Sequence, residues 1–165
     1  GFGLLEVVVF KIGGNVRFPI NGTTTRVYYK VWEMGCFAGF LTGREAAHYM
    51  KPRGRGTILF TGATASLRGG VGYSAFAGAK FGLRALAQSM ARELGPEGIH
   101  VSHIVIDGAI DTEWIEKMFP DVYARKDQDG LLNPHDISAV YWQLHCPKPS
   151  AWTPDPDRCP SLRPP

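Results

Sequence analysis

At 165 residues, 44% of them hydrophobic and 20% charged, the chain is long enough for one domain with a real core and too apolar for wholesale disorder. Its formal net charge of +3 is small and scattered, which argues against a nucleic-acid partner. The local basic run Lys51, Arg53, Arg55 falls where a helix gives way to a strand and reads as a solvated turn.

No apolar run approaches the roughly 20 residues that cross a bilayer, and GFGLLEVVVF carries no basic segment ahead of its apolar one, so neither a membrane span nor a secretory signal is expected. The cytoplasm is the default location. Cys36, Cys146 and Cys159 share no ligand-like spacing and read as free thiols, with no metal site expected. A first residue that is Gly rather than Met suggests processing or a fragment.

In chain order, residues 4–10 (LLEVVVF) form a compact, Val-rich run ended by Gly13, Gly14 and Asn15, and predict a buried strand entering a loop. Residues 21–25 are polar, and any of the threonines there can cap a following helix. Val27, Val31, Met34, Ala38 and Leu41 recur at helical spacing to about Met50, and Tyr28, Trp32 and Phe37 widen the apolar face, so this helix is expected to be buried on more than one side. Pro52 and Gly54 break it.

Residues 57–60 fit a buried parallel strand, and glycines punctuate the loop after it. Phe76, Ala79, Leu83, Leu86, Ala87, Met90 and Leu94 then define a long helix stopped by Gly95-Pro96. Residues 98–106 predict another strand. His100 and His103, three apart in it, point to opposite faces and cannot jointly hold a metal, so satisfied or partly exposed imidazoles are expected. Residues 113–133 are less regular, and a short amphipathic helix is expected from Asn133 to about Leu144. The last twenty residues hold seven of the twelve prolines; only residues 150–153 suit a short edge strand, and the final ten are expected to be loosely ordered. The domain is thus residues 1–145, with a Pro-rich tail over 146–165.

Strand, small-residue loop, a helix carrying Lys80, and then GIHVSHIVIDGAIDT resemble the active-site half of a short-chain dehydrogenase/reductase. The resemblance implies an α/β fold, a partial doubly wound (Rossmann-like) parallel sheet, lacking the N-terminal nucleotide-binding βαβ unit. In that family a tyrosine lies four residues before the lysine and a serine thirteen before the tyrosine; here these places hold Phe76 and Ala63. The strand at residues 4–10 leads into Phe10-Lys11-Ile12-Gly13 where the family has Asn-Asn-Ala-Gly, so only Gly13 matches. Cys36 stands at an asparagine's place and reads as a buried, inert thiol. Asp107-Gly108-Ala109-Ile110-Asp111-Thr112 is similar to the Pro-Gly-x-x-x-Thr turn over the nicotinamide, with Gly108 and Thr112 kept. A TGxxxGxG turn would need glycines where Ser66 and Arg68 stand.

The resemblance implies NAD or NADP as cofactor, held by Gly13, Lys80, Gly108, Ile110 and Thr112, and hydride transfer to or from a small carbonyl or alcohol substrate. Loss of the tyrosine and serine implies impaired catalysis, or a non-catalytic scaffold that keeps the fold for partner binding. Lys80 is either a retained ribose ligand or a solvated helix residue. Tyr73, Thr64 and Ser66 are the weak substitutes for the missing hydroxyls; for Thr64 and Ser66 the other reading is hydrogen bonding within the turn. Homo-oligomerisation through helices 26–50 and 74–94 is also implied. The run at residues 4–10 would then lie on a sheet edge open to a partner.

Overall fold

The computed structural model describes residues 4–153 and the backbone of residues 157–158. Four parallel strands lie in the order β1 (Val7–Phe10), β2 (Gly56–Ala63), β3 (Ile99–Ile106) and β4 (Asp157–Arg158). β2 and β3 pair along their whole length, from Gly56 opposite Ile99 to Ala63 opposite Ile106. Both read as near-continuous apolar or β-branched runs because helices cover both of their faces.

On one face, Ile58, Phe60 and Val101 pack with Phe10, Met50, Leu83 and Ala87 under α2 (Ala38–Met50) and α3 (Ser74–Leu94). On the other, Leu59, Ile104 and Ile106 meet Leu144, Ile137 and Val140 of α6 (Pro134–His145). Helices on both faces of a parallel sheet make this a partial doubly wound, Rossmann-like fold. Polar links seat α6: Thr61 Oγ1 lies 2.7 Å from the Tyr141 hydroxyl, and Thr57 Oγ1 lies 2.9 Å from His145 Nδ1.

β1 departs from the buried strand that its composition predicts. Phe10 is buried, but Val7 and Val9 are 36% and 45% exposed. They sit in register with Thr57 and Leu59, on the face that α6 covers over β2 and β3 only. At its start Glu6 pairs with Arg53 and Arg55, while Lys51 pairs with Glu97; the basic run is thus engaged in turn-level ion pairs.

The helix expected over residues 26–50 forms as α1 (Thr25–Trp32), a π-turn (Glu33–Phe37) and α2 in direct succession. Thr24 caps it, its side chain accepting from the Val27 N–H at 3.2 Å. Burial on more than one side is not what the fold provides. Val31, Gly35, Gly39, Gly43, Ala46 and Met50 face inward, whereas Tyr29, Trp32, Phe37 and Phe40 remain on the exposed side. Among the described residues only one layer packs against this helix, which leaves its second apolar face exposed.

His100 and His103 point to opposite faces, but both are fully buried rather than partly exposed, because β3 is an interior strand. His100 stacks on Trp152 with ring centroids 5.0 Å apart, and Ser102 Oγ donates to the Thr153 carbonyl at 2.7 Å. These contacts hold the start of the Pro-rich segment against the sheet. Residues 149–151 form a 3₁₀ turn, not the edge strand expected over 150–153; Pro149 at the turn's start favours it. The strand that adds to the sheet is instead Asp157–Arg158, opposite Val105 and Ile106. Apart from that backbone, the final ten residues lie outside the described ones. Among the described residues no helix is long and apolar enough to cross a membrane.

Candidate functional site

The carboxyl ends of β1, β2 and β3 converge beside the first turns of α3, the position where open α/β sheets take ligands. Phe76 and Lys80 lie four residues apart and therefore share one face of α3. Lys80 is only 4% exposed. Its Nζ donates to the carbonyl of Thr61 at 2.8 Å and to that of Ile12 at 3.4 Å. Burial without a facing carboxylate pushes its pKa down to about 8. The ammonium lies 5.9 Å from the centre of the Phe76 ring. A methyl group on Gly13 would sit 3.1 Å from Lys80 Nζ and 3.7 Å from Phe76 Cε2, so the glycine keeps the space in front of Lys80 open.

Ala63 ends β2. Its N–H donates to Ser66 Oγ at 3.2 Å, and Ser66 is fully buried in the turn that follows. Thr64 Oγ1 donates to the Asp107 carboxylate at the end of β3. Tyr73 precedes the first residue of α3; its N–H bonds the Gly70 carbonyl at 3.0 Å, and the Arg17 guanidinium lies 5.8 Å from its ring centre. Cys36 sits in the π-turn, half-buried, with its Sγ against Gly82 of α3. Burial raises its pKa and keeps it a thiol.

Residues 108–112 leave β3 and are tied to the end of the following flap. Asp111 N–H donates to the Leu132 carbonyl and Leu132 N–H to the Ala109 carbonyl, each at 2.9 Å, with a parallel bridge between Ile110 and Leu132. Lys126 Nζ pairs with Asp111 at 3.0 Å across the same base. Thr112 caps α4 (Glu113–Met118), its Oγ1 accepting from the Ile115 N–H at 3.3 Å. α4 and α5 (Pro120–Tyr123) then stand over the strand ends. Together with Asn15 they bound a cleft of about 440 Å³.

Lys80, Phe76, Gly13, Ala63 and Thr64 thus meet at one end of the sheet, with Gly108, Ile110 and Thr112 in the wall of the adjoining cleft. Ser66 is enclosed in its turn. Sequence reasoning missed the Thr64–Asp107 and Thr61–Tyr141 links, whose members lie 43 and 80 residues apart and meet only through strand register and helix docking. It also passed over Asn15 as a cleft wall.

Residues 1–122 match the family model for short chain dehydrogenase. Among curated proteins, the chain is 37% identical over 116 residues to the (21S)-21-acetoxyl-apo-melianone synthase of Melia azedarach, covering 63% of this chain and 43% of that one. It is 28% identical over 147 residues to the 3alpha-hydroxysteroid dehydrogenase of Mediterraneibacter gnavus, covering 85% of this chain and 57% of the relative. Among solved structures, a short-chain dehydrogenase from Rhodopseudomonas palustris is 50% identical with a TM-score of 0.77, over 95% of this chain and 63% of that one. The chain therefore spans about half the length of the curated relatives it matches, and it belongs to the short chain dehydrogenase family.

Proposed function

We propose that this chain is the active-site half of a nicotinamide-dependent oxidoreductase acting on carbonyl and alcohol groups, with proton handling impaired. The observation that carries this is Lys80, a buried cation held at the strand ends behind an open glycine, with a phenyl ring where a hydroxyl is needed. The cofactor is NAD or NADP. The residues fit its ribose and nicotinamide end: Gly13 leaves room, Lys80 supplies N–H donors, and the small residues Gly108 and Ala109 let backbone approach a flat ring beside Ile110 and Thr112. When bound, a nicotinamide supplies or accepts the hydride.

The chain's own residues then have to orient the substrate oxygen and move one proton. Lys80, which donates to the Thr61 and Ile12 carbonyls, would hold the ribose hydroxyls. Phe76 has no proton to give and Ala63 no hydroxyl to orient an oxygen. The Ser66 hydroxyl accepts from Ala63 and that of Thr64 donates to Asp107, while Tyr73 lies on the side of the helix start that faces Arg17. Proton transfer therefore falls to solvent, without the roughly 10²- to 10⁴-fold that a positioned acid contributes.

Titrating the full chain against NADH and NADPH fluorescence tests this: saturable binding that Lys80→Met weakens at least tenfold is expected, and no saturable binding would sink it. A second reading, a non-catalytic scaffold that self-associates, draws on the exposed aromatic side of α1 and α2.

A further inference from the structure

The cleft beyond Thr112 has a chemistry of its own. Its flap side is walled by Trp114, Ile115, Phe119 and Val122, and its base by Ile110. Among the described residues no charged side chain lines it; the polar side chains that do are Asn15 and Thr112. Two pairs of charges on the flap neutralise each other: Lys126 with Asp111, and Lys117 with Glu113. Trp114 and Phe119 meet edge to face at 5.3 Å, yet remain 57% and 45% exposed. Two aromatic rings left in water at the mouth of a concave, uncharged cleft are a surface that a ligand would cover.

We infer that this cleft, in the part beyond Thr112, selects an uncharged, mainly apolar, ring-bearing ketone or alcohol. Its ring lies against Trp114 and Phe119, and its one oxygen faces Asn15 and Thr112. Carboxylates are rejected because no cation in the lining compensates their desolvation, and polyols because two polar side chains cannot satisfy many hydroxyls. The inference rests on the oxidoreductase reading for the placing of the reacting oxygen, and on the cleft alone for the class of molecule.

Isothermal titration of the full chain with 2-decalone, decalin-2-carboxylate and sorbitol, with and without NADPH, tests it. The expected result is saturable binding of decalone, with carboxylate and sorbitol at least tenfold weaker. Trp114→Ala and Phe119→Ala each weaken decalone at least fivefold with unchanged melting, since both side chains are exposed, and Trp114→Phe stays within twofold of the parent. No saturable decalone binding in either condition, equal binding of carboxylate or sorbitol, or an unchanged affinity in both alanine variants overturns the inference. Decalone binding in a chain that takes up no NADPH sinks the oxidoreductase reading and leaves this one standing; NADPH binding without decalone binding does the reverse.

Discussion

A buried lysine that donates to two carbonyl oxygens and faces no carboxylate among the described residues is held in its charged form at a cost, and for Lys80 that cost has a pH signature. Its folded-state pKa is about 8 against an ordinary 10.5. Between these values the unfolded chain binds more protons than the folded one, so stability rises with pH from about 8 to 10.5, by a few kcal/mol at most. Below pH 8 both states are protonated and the penalty is constant. Urea unfolding at pH 7.5 and 10 is expected to show this gain in the parent and not in Lys80→Met; equal gains in both would mean that Lys80 is not the group. Phe76 and Ala63 carry the second residue-level prediction. Phe76→Tyr with Ala63→Ser restores the proton donor and the orienting hydroxyl, and is expected to raise nicotinamide-linked carbonyl reduction about 10²- to 10⁴-fold over the parent. Unchanged turnover would mean that position 76 is not where the proton arrives. Lys80 and Phe76 were legible in the sequence because a spacing of four is a helix face, a local fact. Thr64 and Asp107 were not legible as a pair, because their contact depends on the β2–β3 register.

At the scale of elements, the helix pair beside the site is set by glycines. Gly35, Gly39 and Gly43, at four-residue steps, face α3: a methyl on Gly35 would lie 3.0 Å from Ala79 Cβ, and one on Gly39 would overlap Leu83 Cδ1. Close approach lets α3 bring Lys80 over the strand ends, so this packing is a positional device as well as a core. Leu83 is fully buried, whereas a methyl on Gly43 would meet chiefly the flexible Met90 tip, with Phe60 Cζ at 3.0 Å. Gly39→Ala is therefore expected to cost about 1–3 kcal/mol by overpacking, against about 1 kcal/mol regained in helix propensity. Gly43→Ala is expected to be milder, and thermal melts of the two variants check the order; a Gly39→Ala variant more stable than Gly43→Ala would refute the packing account. Element types were readable from the sequence because period and glycine punctuation are local. The outward face of α1 and α2 was not, since an apolar stripe looks alike whether one chain or two will bury it. β1 failed for the same reason: VVVF fits a covered strand, and only the docking of α6 decides which strands are covered.

For the whole molecule, the question is what covers the apolar surface that the fold leaves in water. Tyr29, Trp32, Phe37 and Phe40 form a run of rings at centroid spacings of 6.2, 5.8 and 6.2 Å along one side of the helix. Aromatic surface of this extent left in water marks an interaction site. The competing surface is β1, whose free edge carries Val7 and Val9 partly exposed and can accept another strand. The two make different predictions. If the helices mate with a second copy, light scattering on a size-exclusion column shows the parent above monomer mass. Trp32→Glu with Phe37→Glu then shifts it to monomer without loss of melting temperature, because neither side chain belongs to the core. Val9→Lys on the strand edge leaves the larger species intact. If Val9→Lys dissociates it and the helix variant does not, the sheet edge is the interface, and a parent that runs as a monomer at all concentrations would remove self-association altogether.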